Sequence, residues 1–239
     1  MAAQDLALRP SRLQESWHLL NRVQIAVLIA DASWAAYHLF KLSAIGTESS
    51  DVHTEMIANH DRAKLVNAIV YFGQHTKKCG MTKLFKLLYF LDFEHYKKTG
   101  RSVTGLKYFA WPKGPVPVSL KAELSKPEPD LNEKIIIREV PTRFEKSMHL
   151  IEAKASFDPA HFSKREIRLL TELANEYRDS TADEMIEATH LETLPWHRVF
   201  EDEKRRQAEI PYEYVLRPDE AEMMKHVSTG NREISENYR

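Results

Sequence analysis

Hydrophobic positions along the chain alternate between two periods, and the switch points outline the architecture. Residues 11–42 carry a helical pattern with Leu13, Trp17, Leu20, Val27 and Trp34 on one side. Within it, Gln24, Asp31 and His38 recur every seven residues and form one polar stripe. A central Asp is costly in a membrane span, so this apolar stretch reads as a buried helix rather than a transmembrane one. The turn-rich "GTESSD" (Gly46 to Asp51) closes it. A second helical pattern runs from Asp61 to Lys78, with Leu65, Ile69 and Phe72 on one face and Asn59 or Asp61 placed to cap it. The third, Lys83 to Gly100, is apolar around most of its circumference. Such a helix belongs at the centre of a domain. Thr82 is its expected cap, and Gly100 stands where a C′ glycine belongs.

Strand-like composition follows at Gly105 to Trp111, then a rigid "AWPKGPVPVSL" (Ala110 to Leu120) that leads into a short helix at Val118 to Ser125. Pro112 and Pro115 fix φ there, Gly114 permits a backbone other residues resist, and Pro117 opens the helix. "KPEPD" (Lys126 to Asp130) reads as a loop. Glu133 to Val140 and Ser147 to Lys154 predict two antiparallel strands. Ser163 with Glu166, and Thr181 with Glu184, each have the spacing of a capping box at the start of a helix. Pro195 takes the first position of a further helical turn, "PWHRVF". A last helix is expected near Pro218 to Val227, before a frayed end. The fold class that emerges is α+β, predominantly helical, with a central apolar helix and a small antiparallel sheet. Three regions follow: a helical appendage at 1–55, a main domain at 56–216, and a C-terminal helix and tail at 217–239.

Composition alters this picture little. The 239 residues are 43% hydrophobic and 29% charged, with a net charge of −1, so the whole molecule offers no electrostatic case for nucleic acid. The distribution is uneven. Residues 61–113 hold eleven Lys/Arg against three Asp/Glu, and residues 121–239 hold 19 against 26. The basic stretch 77–113 interleaves lysine with aromatic residues, a composition suited to single-stranded nucleic acid. The same aromatics recur at core-helix spacing, and lysines beside a core helix commonly lay their stems over apolar surface. Cys79 is the single cysteine. It allows no internal disulfide and no thiolate metal set, which suits a cytoplasmic location. His75 and Cys79 lie four apart, which is only half a metal site. Phosphate-binding loops, HExxH and GxSxG are all absent, and no nucleophile–base pair is readable. No catalytic residue, metal or cofactor is expected.

Three stretches together resemble the Panacea domain of the SocA-like antitoxin family. They are "KLFKLLYF" (Lys83 to Phe90), "AWPKGPVPVSL" and "THLETLPWHRVF" (Thr189 to Phe200). Their order and spacing match across roughly Met56 to Leu216. The resemblance implies a mostly helical domain with a small sheet. It also implies an antitoxin of a bacterial or phage toxin–antitoxin pair that binds and neutralises a separately encoded protein toxin. Family members stand beside many unrelated toxins, small alarmone-synthetase-like enzymes among them, and at least one is a proteolytic adaptor. Candidate partner-binding residues on the matching stretches are Lys83, Lys86, Tyr89, Trp111, Lys113, Gly114, Pro115, His190 and Trp196. Trp111 and Trp196 have a competing role as core residues. Lys113 departs from the family, where many members place an aromatic or aliphatic residue before Gly-Pro-Val. Residues 1–55 have no counterpart in the minimal domain. They are either a segment that selects the toxin or an upstream extension of the frame before Met56. A cognate toxin encoded nearby is the expected partner. A homo-oligomer and, less favoured, nucleic acid are the others, and no membrane is expected. The alternative function is a nucleic-acid-binding regulator that uses residues 77–113.

Overall fold

The computed structural model describes residues 60–141, 147–217 and 220–221. The helix expected at 11–42, the appendage 1–55, the Asn59 cap and most of the helix expected at 218–227 lie outside the described residues. Helix α1 covers residues 60–75, so Asp61 lies within it rather than capping it. It stops short of the expected Lys78 because the Lys77 N–H goes to the Arg178 carbonyl (2.8 Å) instead of back along the helix and Lys78 takes a left-handed backbone, φ 49°.

Helix α2 (Met81–Thr99) is the expected central helix. Twelve of its 19 residues are buried. It packs against the hairpins and helices introduced below. Gly100 ends it as expected, at φ 70° with its N–H on the Tyr96 carbonyl (2.8 Å). The start differs. Gly80 is the N-cap, no side chain caps the helix, and Thr82 falls in the first turn.

The expected strand at 105–111 shortens to β1 (Phe109–Trp111), paired antiparallel with β2 (Gly114–Val116). The residues just before it serve another purpose. Asp92, fully buried on α2, accepts from the N–H groups of Val103 (2.8 Å) and Thr104 (2.7 Å) and from the hydroxyls of Thr104 and Tyr108 (2.7 Å). Burial pushes its carboxyl up to about 6, against the pull of these donors. One carboxylate thus organises the whole 103–108 connection.

Helix α3 (Val118–Glu123) follows Pro117 as predicted. The "KPEPD" loop is a correction. Pro129 takes an early helical position and opens α4 (Pro129–Lys134), hidden in sequence by its loop-like composition. Arg62 of α1 reaches both short helices, with paired contacts to Glu123 and Asp130 of 2.5–2.8 Å. β3 (Ile135–Pro141) and β4 (Ser147–Ala153) form the expected hairpin, with Ile137 opposite Ile151. The hairpin joins the core where the Ile151 N–H meets the Cys79 carbonyl (2.8 Å) and Leu150 bridges Gly80. The strands thus form two separate antiparallel pairs.

Both capping boxes form as read, on α5 (Lys164–Glu176) and α6 (Ala182–Thr189). Glu166 does double duty, since Lys64 of α1 also bonds it at 2.6 Å. α7 (Pro195–His197) continues into a π-helical turn, Arg198–Asp202. The chain then returns beside β1, where the Ala110 N–H donates to the Ala208 carbonyl (2.9 Å) and the Ile210 N–H meets the Tyr108 carbonyl. No helix among the described residues is long and apolar enough to cross a membrane.

Candidate functional site

The rigid Trp-Pro turn is a tight hairpin. Trp111 stands opposite Gly114, so Pro112 and Lys113 alone form its tip, and both are exposed. Proline second and glycine fourth is the composition a type I turn favours. Gly114 has φ 89°, which disfavours any side chain. A second demand is tertiary. A Cβ on Gly114 would lie 2.7 Å from the Lys86 Nζ and 2.6 Å from the Thr189 Oγ1. The hairpin can lie on α2 and α6 only because that atom is missing. Gly114→Ala combines backbone strain with two overlaps and is expected to cost about 3 kcal/mol. A thermal midpoint within a degree or so of the parent would refute this account of the turn.

Beneath the turn, Lys86 is 1% exposed and donates to the Pro115 carbonyl at 2.8 Å. No carboxylate pairs with it among the described residues, and burial pushes its amine down to about 7. Lys83, one turn earlier, is equally buried. Its amine donates to three backbone carbonyls, Lys77 (3.1 Å), Arg178 (3.0 Å) and Ser180 (2.9 Å). This lysine ties the α1–α2 corner to the α5–α6 corner, beside a backbone bond from Lys77 to Arg178 (2.8 Å).

The C-terminal motif braces the same hairpin from the other side. Trp196, 2% exposed, donates its indole N–H to the Trp111 carbonyl at 2.9 Å. His190 stacks on one face of the indole (3.8 Å between centroids) and Phe200 lies at 4.7 Å. Thr189, which ends α6, turns its hydroxyl onto the Ile186 carbonyl (2.9 Å) while pressing on Gly114. The His190 Nε2 and the Tyr89 hydroxyl are buried with no partner among the described residues. Burial first, and the Lys86 charge second, hold the His190 imidazole below its ordinary pKa.

The candidate residues therefore divide. Lys83, Lys86, Tyr89, Gly114, Pro115 and Trp196 are buried and set the shape of the turn. Trp111 and His190 are half-buried, and Lys113 is exposed at the tip. The two buried lysines do not lay their stems outward, as the sequence suggested, and their amines are out of reach of a phosphate backbone. That withdraws two cations from the basic 77–113 region. Two further residues belong to the site. Lys121 holds its amine 4.2 Å from the Trp111 ring centroid, a cation–π contact that orients the half-exposed tryptophan. Leu191, 59% exposed, is the one large exposed hydrophobic among the described residues and follows His190 directly. Sequence offered no signal for its exposure, because the helical period ends at Thr189. Nor does any group of three His, Cys, Asp or Glu side chains among the described residues converge as a metal site would require.

Comparison with known proteins agrees with the motifs. No curated protein and no solved structure matches the chain. Residues 84–197, which span most of the central helix, the Trp-Pro hairpin and the start of the final motif, match the family model described as "Antitoxin SocA-like, Panacea domain".

Proposed function

We propose that this chain is the antitoxin of a toxin–antitoxin pair and that it neutralises a separately encoded protein toxin by binding it. The observation that carries this reading is the match of residues 84–197 to the SocA-like Panacea domain family. The geometry supports a binding role. Lys86, Thr189 and Trp196 hold the hairpin rigid from below, so its exposed parts are presented without further ordering. Pre-set surfaces of this kind bind with a smaller entropic cost. Lys113, the free part of Trp111 and Leu191 are the exposed parts of the matching stretches. A stable complex would cover on the order of 1,200–2,000 Å² in total and centre on aromatic and apolar anchors. The mechanism is steric and stoichiometric: the partner's working surface is covered or held in an inactive shape.

The functional unit is the 56–216 domain, with 1–55 either a selector of the toxin or an extension of the frame. Mass spectrometry of natively expressed protein distinguishes these, because a chain that begins at Met56 removes the segment from the mechanism. The function itself is tested by co-expression. One neighbouring gene should be toxic alone and harmless together with this chain. A Lys113→Glu/Leu191→Ala variant that folds normally should weaken the protection. Failure to rescue growth against every neighbouring product would sink the antitoxin reading.

A further inference from the structure

We propose that a groove between the start of α2, strand β4 and the start of α6 is a docking site for an acidic segment of a protein partner that carries an apolar side chain between its carboxylates. The groove encloses about 630 Å³, within the range of cavities that seat small ligands or a few side chains. It lies apart from the outward side of the Trp-Pro hairpin, and only Lys121 serves both.

Its chemistry is two-layered. The floor is apolar and adaptable: Met81 and Phe85 from α2 and Met148 from β4. Unbranched thioethers reshape easily around an incoming side chain. The rim is basic, with Lys77, Lys78 and Lys121. Among the described residues Asp179 is the one acidic residue lining the groove, and Lys77 already pairs with it at 2.7 Å. Lys78 and Lys121 have no carboxylate partner among the described residues. The 19-residue helix α2 adds to the same field. Its first turn holds no acidic residue and no side chain caps it, so no group of its own offsets the positive end at the groove. Charge complementarity therefore selects an anionic occupant, and the thioether floor selects one with an apolar side chain. A nucleic-acid backbone would leave that floor unused. Of the lysines that line the groove, Lys83 has its amine turned inward onto backbone carbonyls and cannot meet a phosphate. Only the identification of the docked segment with the toxin rests on the antitoxin reading.

Fluorescence anisotropy with the full chain tests the groove directly. The probe is a labelled, end-capped peptide of sequence Asp-Leu-Glu-Phe-Asp. Its comparators are Lys-Leu-Lys-Phe-Lys and a single-stranded thymidine oligonucleotide. The acidic peptide is expected to bind saturably and to weaken several-fold between about 0.05 M and about 0.3 M salt. Lys78→Glu/Lys121→Glu should weaken it at least tenfold. The neutral pair Lys78→Gln/Lys121→Gln should fall in between, which guards against a misfolded double reversal. Absence of saturable binding, unchanged binding by the charge-reversed chain, or preference for the basic peptide or the oligonucleotide each overturns the proposal. The two readings fail separately. Peptide binding without growth rescue by any neighbour removes the antitoxin and leaves the groove, whereas rescue by a chain that ignores the peptide removes the groove alone.

Discussion

Asp92→Ala is expected to destabilise the domain by about 5 kcal/mol, enough to unfold a chain of ordinary stability. The carboxylate receives two backbone N–H groups and two hydroxyls inside the core. Alanine leaves all four without an acceptor, and each orphaned donor costs roughly 1–3 kcal/mol. Relaxation of the 103–108 connection recovers part of the sum. Asp92→Asn keeps one acceptor oxygen and should cost about half as much. Urea or guanidinium midpoints for the two variants give the comparison. An alanine variant as stable as the parent would mean that the connection is held by something other than Asp92.

The second large effect is a pH dependence owed to Lys86. Burial lowers its amine from an ordinary 10.5 to about 7. Between those values the unfolded chain holds a proton that the folded chain has shed. Raising the pH therefore favours the folded state, and the gain is lost again as the pH falls through 7. The full window is worth up to about 5 kcal/mol. Lys86→Met should remove this slope while changing stability at neutral pH by only about 1–2 kcal/mol, since methionine keeps the volume and avoids burying an amine. The measurement is unfolding free energy against pH, parent minus variant, which cancels the buried tyrosines common to both. Parallel profiles for the two proteins would show that Lys86 keeps an ordinary pKa in the fold.

Those two residues also show where sequence was legible and where it was not. Signals confined to a few neighbouring residues translated directly. The boxes at Ser163 and Thr181, the Gly100 stop and the β3–β4 pairing depend on local spacing and formed as expected. The apolar circumference of α2 announced its central place. Six-residue α4 was missed because its proline and its acids carry loop composition, and a helix so short shows no period. The buried lysines were illegible for a different reason. Residue type places lysine at the surface, and the carbonyls that hold Lys83 come partly from residues 95 and 97 positions away. Gly114 was readable as a turn glycine. That it also makes room for Lys86 and Thr189 needed the tertiary contacts. The candidate list therefore found the right place in the fold, but mixed the bolts of the hairpin with its outer face, and it passed over Lys121 and Leu191.

Lys83 has one more consequence. It reads only main-chain oxygens, from Lys77, Arg178 and Ser180. A carbonyl is the same whichever side chain its residue bears. Lys77 and Ser180 also line the docking groove. Their side chains can therefore be exchanged, and the recognition chemistry of that rim rewritten, while the clasp that joins the two corners stays intact. The scaffold separates what holds it together from what it shows to a partner, so one frame can be refitted for different partners by surface substitutions alone.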